Sequence, residues 1–304
     1  MTSYADDIRG EINNRLMEAL KKNQIPWRMP WSLDSNAGSP RNISSKKSYN
    51  GINPLLLYLT SLEKTYSSRW WGTYKQFQEV GGQVRKGEKG TRVVYYSTIE
   101  KEAKDDEGNL SKKKIFFMKS YTVFNVEQVD GEKLDKYRVK PSEGNVAFEN
   151  VASAEAIIAA TDAKIVFGGN KALYIRPVGE WPNHTGGDYI RMPNKNQFTE
   201  PSEFYQTQFH ELAHWSEVRL NWTGTYEMGE LIAEITGCYL AAEAQVPNLN
   251  IENHSSYLAS WLKAMENDPK WIFKATTQAS KATNYILSFS QRTEVSEDQL
   301  ETTE

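Results

Sequence analysis

The sequence predicts an α+β fold made of two regions. Apolar residues recur at helical spacing near the N-terminus and again after residue 200. Runs typical of strands extend from Thr91 to Thr98 and from Ile115 to Val126. Residues 1–140 carry 25 Lys and Arg against 17 Asp and Glu, whereas residues 141–304 carry 11 against 22. A basic half that precedes an acidic half indicates two domains, of which the first can meet a polyanion.

The domain boundaries follow from the same change in composition. We predict a mixed helix and strand domain over residues 1–137 and a linker over residues 138–148, where the chain is polar and contains Pro141 and Gly144. A second domain should occupy residues 149–292, and residues 293–304 should form a disordered acidic tail.

Composition restricts the cellular setting. No apolar run approaches the roughly 18 residues that a membrane span needs, so no membrane partner is expected. The first residues are acidic and lack the apolar stretch of a secretory signal. Cys238 is the only cysteine, which excludes internal disulfides and favours a reducing, cytoplasmic location.

The most specific motif is the H-E-x-x-H run from His210 to His214. On a helix the two histidines lie one above the other, so their neutral imidazoles can bind one Zn²⁺ per chain. Glu211 is then placed to act as general base toward a water that the metal has acidified to a pKa of roughly 7. Mn²⁺ or Co²⁺ are possible substitutes for zinc. The alternative is a solvated helix that carries two histidines by accident.

A catalytic zinc needs a third protein ligand, and a second helical stretch supplies two candidates. Glu230 and Glu234 share one face at a spacing of four residues, and like charges at that spacing repel unless a cation lies between them. We favour Glu230 as the ligand and Glu234 as the carboxylate that holds a ligand imidazole, with Glu234 as an alternative ligand. Both glutamates could instead lie on a wet helix face.

Two further residues are candidates for the catalytic site. His254 and Tyr257 precede a strongly periodic helix and could stabilise an oxyanion as neutral hydrogen-bond donors. Residues of these types more often lie at the surface or at the edge of a core. The predicted strand Tyr189 to Met192 would offer its edge to an extended peptide substrate.

The basic half interleaves aromatic residues with arginine and lysine. This pattern is typical of proteins that stack unpaired bases on aromatic rings while cations follow the phosphates. The alternative is that the aromatic residues form the core, which we expect for Trp71, Tyr95, Phe116 and Phe124. The candidate DNA-binding residues are Trp27, Arg28, Trp31, Arg41, Asn42, Tyr49, Trp70, Lys75, Gln76, Arg85, Lys86 and Lys89.

These motifs together resemble the ArdC antirestriction family. In the first half the resemblance lies in Ile25-Pro26-Trp27-Arg28, Tyr49-Asn50-Gly51-Ile52-Asn53 and the run from Gly81 to Glu88. In the second half it lies in the motif from His210 to Trp215 and in Glu230-Leu231-Ile232-Ala233-Glu234. One departure is Gly229, where the family often has a second glutamate.

The resemblance implies a single-stranded DNA-binding domain followed by a gluzincin-like metallopeptidase domain, which together shield incoming plasmid DNA from host restriction. A chain that binds DNA and cuts protein would act on a DNA-associated protein substrate. The alternative is a non-catalytic single-stranded DNA-binding protein whose zinc site is structural. A metal-dependent nuclease is disfavoured, because nucleases gather carboxylates around Mg²⁺.

Overall fold

The structure is a computed structural model that describes residues 4–22, 24–25, 27, 34–104, 110–140, 152–180, 182–183, 185–246 and 255–301. The helices of these residues are α1 (Tyr4–Lys21), α2 (Asn53–Lys64), α3 (Tyr74–Glu79), α4 (Ala152–Ala160), α5 (Pro201–Arg219), α6 (Tyr226–Glu243), α7 (Ser255–Asn267) and α8 (Trp271–Glu301). The strands are β1 (Arg41–Asn42), β2 (Trp70–Gly72), β3 (Gln83–Val84), β4 (Thr91–Lys104), β5 (Leu110–Asn125), β6 (Val129–Asp130), β7 (Ile165–Phe167), β8 (Leu173–Ile175) and β9 (Tyr189–Met192). This mixture of helices and small sheets confirms the α+β prediction.

The N-terminal region is built around a four-stranded sheet in the order β1-β2-β5-β4. β1 and β2 are parallel, whereas the long hairpin of β4 and β5 pairs antiparallel from Thr91 opposite Val123 to Lys104 opposite Leu110. Helix α2 covers one face of the sheet, where Leu57 packs against Trp71, Val93 and Val123. The remaining strands of this region, β3 and β6, form a separate pair.

The C-terminal region combines a three-stranded sheet with long helices. Its strand order is β7-β9-β8, with β9 parallel to β7 and antiparallel to β8. The expectation that Tyr189 to Met192 offers a free edge is therefore wrong, because β9 is paired on both sides. The outer strands of this sheet are β7 and β8. β8 has only three residues and was too short to predict from the sequence.

One hydrophobic core joins the two regions. Its buried residues come from α1 and α2 of the first region and from α6, α7 and α8 of the second, and include Leu16, Leu55, Ile235, Trp261 and Ile272. A buried hydrogen bond from Asn13 Nδ2 to the carbonyl of Met265 (3.0 Å) crosses the same boundary. The two regions therefore share this core, wherever the boundary between them lies in the sequence.

Two expectations about individual segments need correction. Tyr95 is 55% exposed and not part of the core, because it shares the face of Val93 but lies outside the cluster that packs around Leu57 of α2. Residues 293–301 continue α8 as helix and are not a disordered tail; they contain no glycine or proline that would stop a helix. Trp71 is fully buried as expected, and Phe124 is partly buried at the edge of a core. The side chain of Phe116 lies outside the described residues.

Within the described part of the chain, no helix is long and apolar enough to cross a membrane.

Candidate functional site

Helix α5 places His210 and His214 on one face, with their Nε2 atoms 3.2 Å apart. The helix begins at Pro201, whose fixed φ suits the first helical position, and its opposite face is anchored in the core by Phe209 and Leu212. Two imidazole nitrogens that face each other at this distance can share one bound cation.

Helix α6 brings Glu230 to the histidine pair. The Glu230 carboxylate oxygens lie 3.5 Å from His214 Nε2 and 3.7 Å from His210 Nε2. One ligand atom from each of the three residues lies within 4.8 Å of the others. The two helices approach closely at Gly237, where an added Cβ would lie 3.3 Å from the backbone nitrogen of His210. Because Gly237 has no side chain, α6 lies close enough to α5 for the Glu230 carboxylate to reach the two histidines.

The chemistry of this donor set fits a divalent metal ion. Two imidazoles and a carboxylate are a common protein ligand set for zinc at catalytic sites and are also compatible with other first-row metals. Hydrogen bonding and charge couple the three residues to one another. Burial lowers the pKa of His210, but the hydrogen bond with Glu230 and the charges of Glu211 and Glu234 outweigh it and raise that pKa. Burial raises the pKa of Glu230, but His210 and His214 lower it below its ordinary value.

Glu211 lies beside the three potential ligands and is 7% exposed. Burial raises its pKa above the usual value, against the lowering effect of the two imidazoles and of a hydrogen bond from the Tyr174 backbone N–H. A carboxylate with a raised pKa is a better proton acceptor near neutral pH. That N–H belongs to β8, so the sheet edge contacts the candidate base directly.

Glu217 is a site residue that the sequence analysis missed. Its Oε1 lies 2.9 Å from His214 Nδ1, and its Oε2 accepts a hydrogen bond from Arg176. The side chain is 4% exposed. The available signal was the spacing, because Glu217 follows His214 by three residues and therefore shares its helix face. A carboxylate on Nδ1 leaves the Nε2 lone pair of His214 directed at the site.

The other residues predicted for the metal or catalytic site lie at different distances from the group formed by His210, His214 and Glu230. Glu234 is buried one turn beyond Glu230, outside the group of three, and acts on His210 through its charge. The Tyr257 hydroxyl lies 3.1 Å from that of Tyr226, and Tyr226 in turn hydrogen-bonds Glu230. Tyr226, which sequence reasoning did not single out, is therefore the hydroxyl nearer to the centre. His254 lies outside the described residues.

A cleft of about 340 Å³ opens over the centre. Strand β8 forms one wall and the first turn of α6 forms the other. Gly229 lies in the wall formed by α6. A Cβ added at this position would lie 3.1 Å from the Trp222 ring, so a residue larger than glycine would be in tight contact with that ring. The cleft presents the unpaired edge of β8 to whatever enters it.

A second polar network attaches β8 to α5. Arg219 donates to both oxygens of Asp188 at 3.0 and 2.7 Å, and Tyr174 donates to the same carboxylate at 2.8 Å. The Arg219 guanidinium also stacks on Trp215, 3.6 Å from the ring centroid. A bidentate pair that is nearly buried restricts movement of the sheet edge relative to the histidines.

The structure contradicts one predicted DNA contact and leaves two outside the described residues. Trp27 is 1% exposed and packs edge to face on Trp261, with ring centroids 5.9 Å apart, so it cannot stack on a base in this conformation. The expectation failed because the alternation of Trp27 with arginine resembles an exposed stripe, whereas its ring fills the core between the regions. Arg28 and Trp31 lie outside the described residues.

Three predicted residues from separate segments come together. Asn42 Nδ2 donates to Gln76 Oε1 at 3.1 Å and to the Tyr49 hydroxyl at 3.3 Å. All three line a second cleft, of about 680 Å³, between the N-terminal sheet and α8. Burial raises the pKa of the Tyr49 hydroxyl, although the bond from Asn42 opposes it.

The remaining predicted DNA contacts are dispersed. Arg41 donates to Glu243 at 2.7 Å, Trp70 donates through Nε1 to Asn36 at 2.9 Å, and Arg85 bonds Glu88 at 2.7 Å. Each is thus engaged within the protein. The three lysines among the predicted DNA contacts, Lys75, Lys86 and Lys89, are exposed.

Comparisons with known proteins agree with this architecture. Residues 6–124 match the family described as the N-terminal domain of anti-restriction factor ArdC, and residues 152–278 match a zincin-like metallopeptidase family. The uncharacterized protein y4eC of Sinorhizobium fredii (strain NBRC 101917 / NGR234) is 31% identical over 309 residues, which are 95% of each chain. A DNA primase TraC of Escherichia coli is 32% identical over 96% of this chain, but the match spans only 28% of the primase.

Two solved structures share the fold. The metal-free antirestriction ArdC protein from R388 plasmid is 35% identical, with a TM-score of 0.74 over 94% of this chain and 98% of that one. Its Mn(II)-bound structure is 33% identical, with a TM-score of 0.69 over 93% and 97%. By its two domains, its relatives and its fold, the chain belongs to the ArdC antirestriction family.

Proposed function

We propose that this protein binds single-stranded DNA with its N-terminal region and hydrolyses peptide bonds at a metal centre in its C-terminal region, so that plasmid DNA entering the cytoplasm is protected from restriction. The convergence of His210, His214 and Glu230 beside the buried Glu211 carries the catalytic part of this proposal. The match to the ArdC N-terminal domain and the basic first half support the DNA-binding part.

Zn²⁺ is the proposed metal, held by the three residues of the site, with Mn²⁺ as an alternative because the related ArdC of R388 has been solved with Mn(II). When bound, such an ion polarises a carbonyl and lowers the pKa of a water. The protein's own contribution is to orient the ligands. Glu217 fixes the His214 ring through Nδ1, and Gly237 keeps α6 close enough for Glu230 to reach the pair.

Glu211 is the proposed general base. Its buried carboxylate lies beside the three ligands, where it can take a proton from the attacking water and later return it to the leaving amine. Glu211 accepts a hydrogen bond from the Tyr174 N–H of β8, and the rest of that outer edge can pair with an extended peptide through backbone hydrogen bonds. Such pairing would bring a scissile bond into the cleft beside Glu211. Tyr226 is the proposed oxyanion donor, with its hydroxyl proton turning from the Glu230 carboxylate to the oxyanion during the reaction and Tyr257 behind it.

The proposed protein substrate is one that is associated with DNA. A chain that holds single-stranded DNA in one region raises the local concentration of proteins bound to the same strand near the other region. Two relatives named DNA primase TraC contain a segment similar to this chain, which supports a role of the segment on DNA.

A non-catalytic role of the metal centre is the second candidate. The ligands come from two helices that are both packed in the core, so a metal would also connect α5 to α6 and stabilise the fold. In that case protection would come from coating the strand alone.

Substitution of Glu211 separates the two candidates. Glu211→Gln keeps the size of the side chain and leaves all three ligands, so metal content and DNA binding should be unchanged while peptide cleavage and plasmid protection fall at least 100-fold. The matched control is Glu227→Gln, an exposed glutamate on α6. The measurement is plasmid transfer into a restricting host, together with metal analysis of the purified variants. Full protection by Glu211→Gln would contradict the peptidase and favour the coating role.

A further inference from the structure

Two tyrosines of the β4–β5 hairpin, Tyr95 and Tyr121, lie exposed on one face of the sheet. Residues directly opposite in an antiparallel pair share a face, and alternate residues along a strand do so too. Val93 pairs with Tyr121 and Tyr95 pairs with Lys119, so these four side chains form one row. Val93 packs on Leu57 and Trp71. Its cross-strand neighbour Tyr121 is nevertheless 46% exposed, and Tyr95, two residues along β4 from Val93, is 55% exposed.

The row leads into the 680 Å³ cleft that contains Asn42, Tyr49 and Gln76. None of the described residues that line this cleft carries a charge. Its walls consist of aromatic rings, amides, hydroxyls and short apolar side chains. A neutral, polar and aromatic cleft is suited to a planar ligand that offers hydrogen-bond donors and acceptors at its edge, as a nucleobase does.

Gln76 is oriented to recognise such an edge. Its Oε1 accepts hydrogen bonds from the Thr73 backbone N–H at 2.9 Å and from Asn42 at 3.1 Å, which fixes the plane of the amide. Its Nε2 group makes no hydrogen bond to the described residues, so it can donate to a ligand. Capping of α3 by Thr73 holds the whole side chain in place.

Cations surround the cleft rather than line it. Lys119 is exposed in the tyrosine row, with its ammonium 5.3 Å from the Phe117 ring, and Lys47 and Lys75 are exposed beside the cleft residues Ser48 and Gln76. This arrangement is complementary to a nucleic acid strand whose bases point inward and whose phosphates remain outside.

We propose that Tyr95, Tyr121 and the cleft of Asn42, Tyr49 and Gln76 form the single-stranded DNA track of this protein. Successive bases stack on the two tyrosines, and one base enters the cleft, where Gln76 contacts its edge. The cleft is closed on its far side by Phe273 and Thr277 of α8, so the strand passes along the junction of the two regions. This inference rests on the proposed function and replaces the tryptophans by tyrosines as the stacking platform.

The test is fluorescence anisotropy of a labelled oligothymidylate at two salt concentrations. In the double variant Tyr95→Ala/Tyr121→Ala, affinity should fall about tenfold or more, because each lost ring removes a stacking partner. The double variant Tyr95→Phe/Tyr121→Phe should bind as the wild type does, since stacking needs the ring and not the hydroxyl. Lys119→Ala should lower the salt dependence of binding, whereas the tyrosine variants should leave it unchanged.

The matched control is Tyr74→Ala, an exposed tyrosine of the same region that does not line the cleft. Thermal unfolding should be unchanged in all variants, because the replaced rings are about half exposed. As a second readout, a 5-iodouracil oligonucleotide should cross-link on irradiation to a peptide that contains Tyr95 or Tyr121.

The outcomes separate the two levels of the proposal. A wild-type protein that fails to bind single-stranded DNA overturns the proposed function and the track together. A wild type that binds, with alanine variants that bind equally well and cross-links elsewhere, overturns only the track. Tighter binding of oligouridylate than of oligothymidylate would assign the track to RNA and contradict the DNA occupant.

Discussion

Glu217 shows how one buried carboxylate determines the behaviour of a ligand. Its Oε1 lies 2.9 Å from Nδ1 of His214, so the ring N–H is held there and Nε2 keeps its lone pair for a metal. We predict that Glu217→Gln lowers metal affinity about 10- to 100-fold, which is typical when a carboxylate behind a ligand histidine is lost. Chelator competition on the purified protein measures this change.

The control for this prediction is Glu200→Gln, which alters an exposed glutamate just before α5. It should leave the metal affinity at the wild-type value. If Glu217→Gln retained its metal as tightly as this control does, Arg176 or another group would have to orient the His214 ring, and the assigned role of Glu217 would be wrong.

Site residues could be predicted from the sequence where they lie close together along the chain. His210, Glu211 and His214 lie within one turn of each other, so a helix of any orientation brings them together. Trp27 could not be assigned in the same way, because whether its ring meets solvent depends on Trp261, more than 200 residues away. Glu217 was accessible to the same local argument as the histidines, but a glutamate in the last turn of a helix is usually solvated.

At the scale of elements, the site depends on how closely α6 approaches α5. Gly237 faces the His210 backbone, and a Cβ there would lie 3.3 Å from the His210 nitrogen, which cannot move aside as a flexible side chain could. We predict that Gly237→Ala lowers the free energy of unfolding by about 1–3 kcal/mol through overpacking and also weakens metal binding. Chemical denaturation and metal titration measure the two effects.

Gly10 supplies the matched control. It also lies in a helix, but nothing lies within 4 Å of an added Cβ there. Gly10→Ala should therefore stabilise the protein by about 0.5–1 kcal/mol, because alanine loses less backbone freedom in a helix. The two glycine-to-alanine substitutions should thus change the free energy of unfolding in opposite directions. Equal effects at both positions would show that helix propensity, and not the contact between α5 and α6, controls the response.

The strands were harder to predict than the helices for a physical reason. A helix forms its hydrogen bonds within its own sequence, whereas the place of a strand in a sheet depends on its partners. The sequence therefore predicted α5 and the start of α6 but not that β9 is central, nor that the three-residue β8 is an edge strand beside the site. The exposure of Tyr95 likewise depends on how far α2 covers the sheet, which no local pattern in β4 reveals.

At the scale of the molecule, the change of charge near residue 140 does not mark a break in the core. Buried residues of α1 and α2 pack with those of α6, α7 and α8 in one cluster. Ion pairs cross the same junction, since Arg41 and Arg69 both contact Glu243, at 2.7 and 3.5 Å. Burial lowers the pKa of Arg69, and the Glu243 charge opposes that shift, so the carboxylate compensates a buried cation.

This continuity predicts that the basic half does not fold stably alone. In a fragment of residues 1–140, the core faces of α1 and α2 would be exposed to water. Exposing even four of their buried side chains, such as Ile12, Leu16, Leu20 and Leu55, costs on the order of 6 kcal/mol. That is comparable with the whole free energy of unfolding of a typical domain, about 5–15 kcal/mol.

We therefore expect the fragment to lack a cooperative urea transition and to bind DNA more weakly than the full chain, although it carries the excess positive charge. The full chain should unfold in one transition with a slope that reflects the surface of both regions, because denaturant sensitivity scales with the area exposed. Circular dichroism and tyrosine fluorescence should report the same midpoint. A fragment that unfolds cooperatively and keeps full affinity would show that charge alone defines the DNA-binding unit, and that α6, α7 and α8 are dispensable to it.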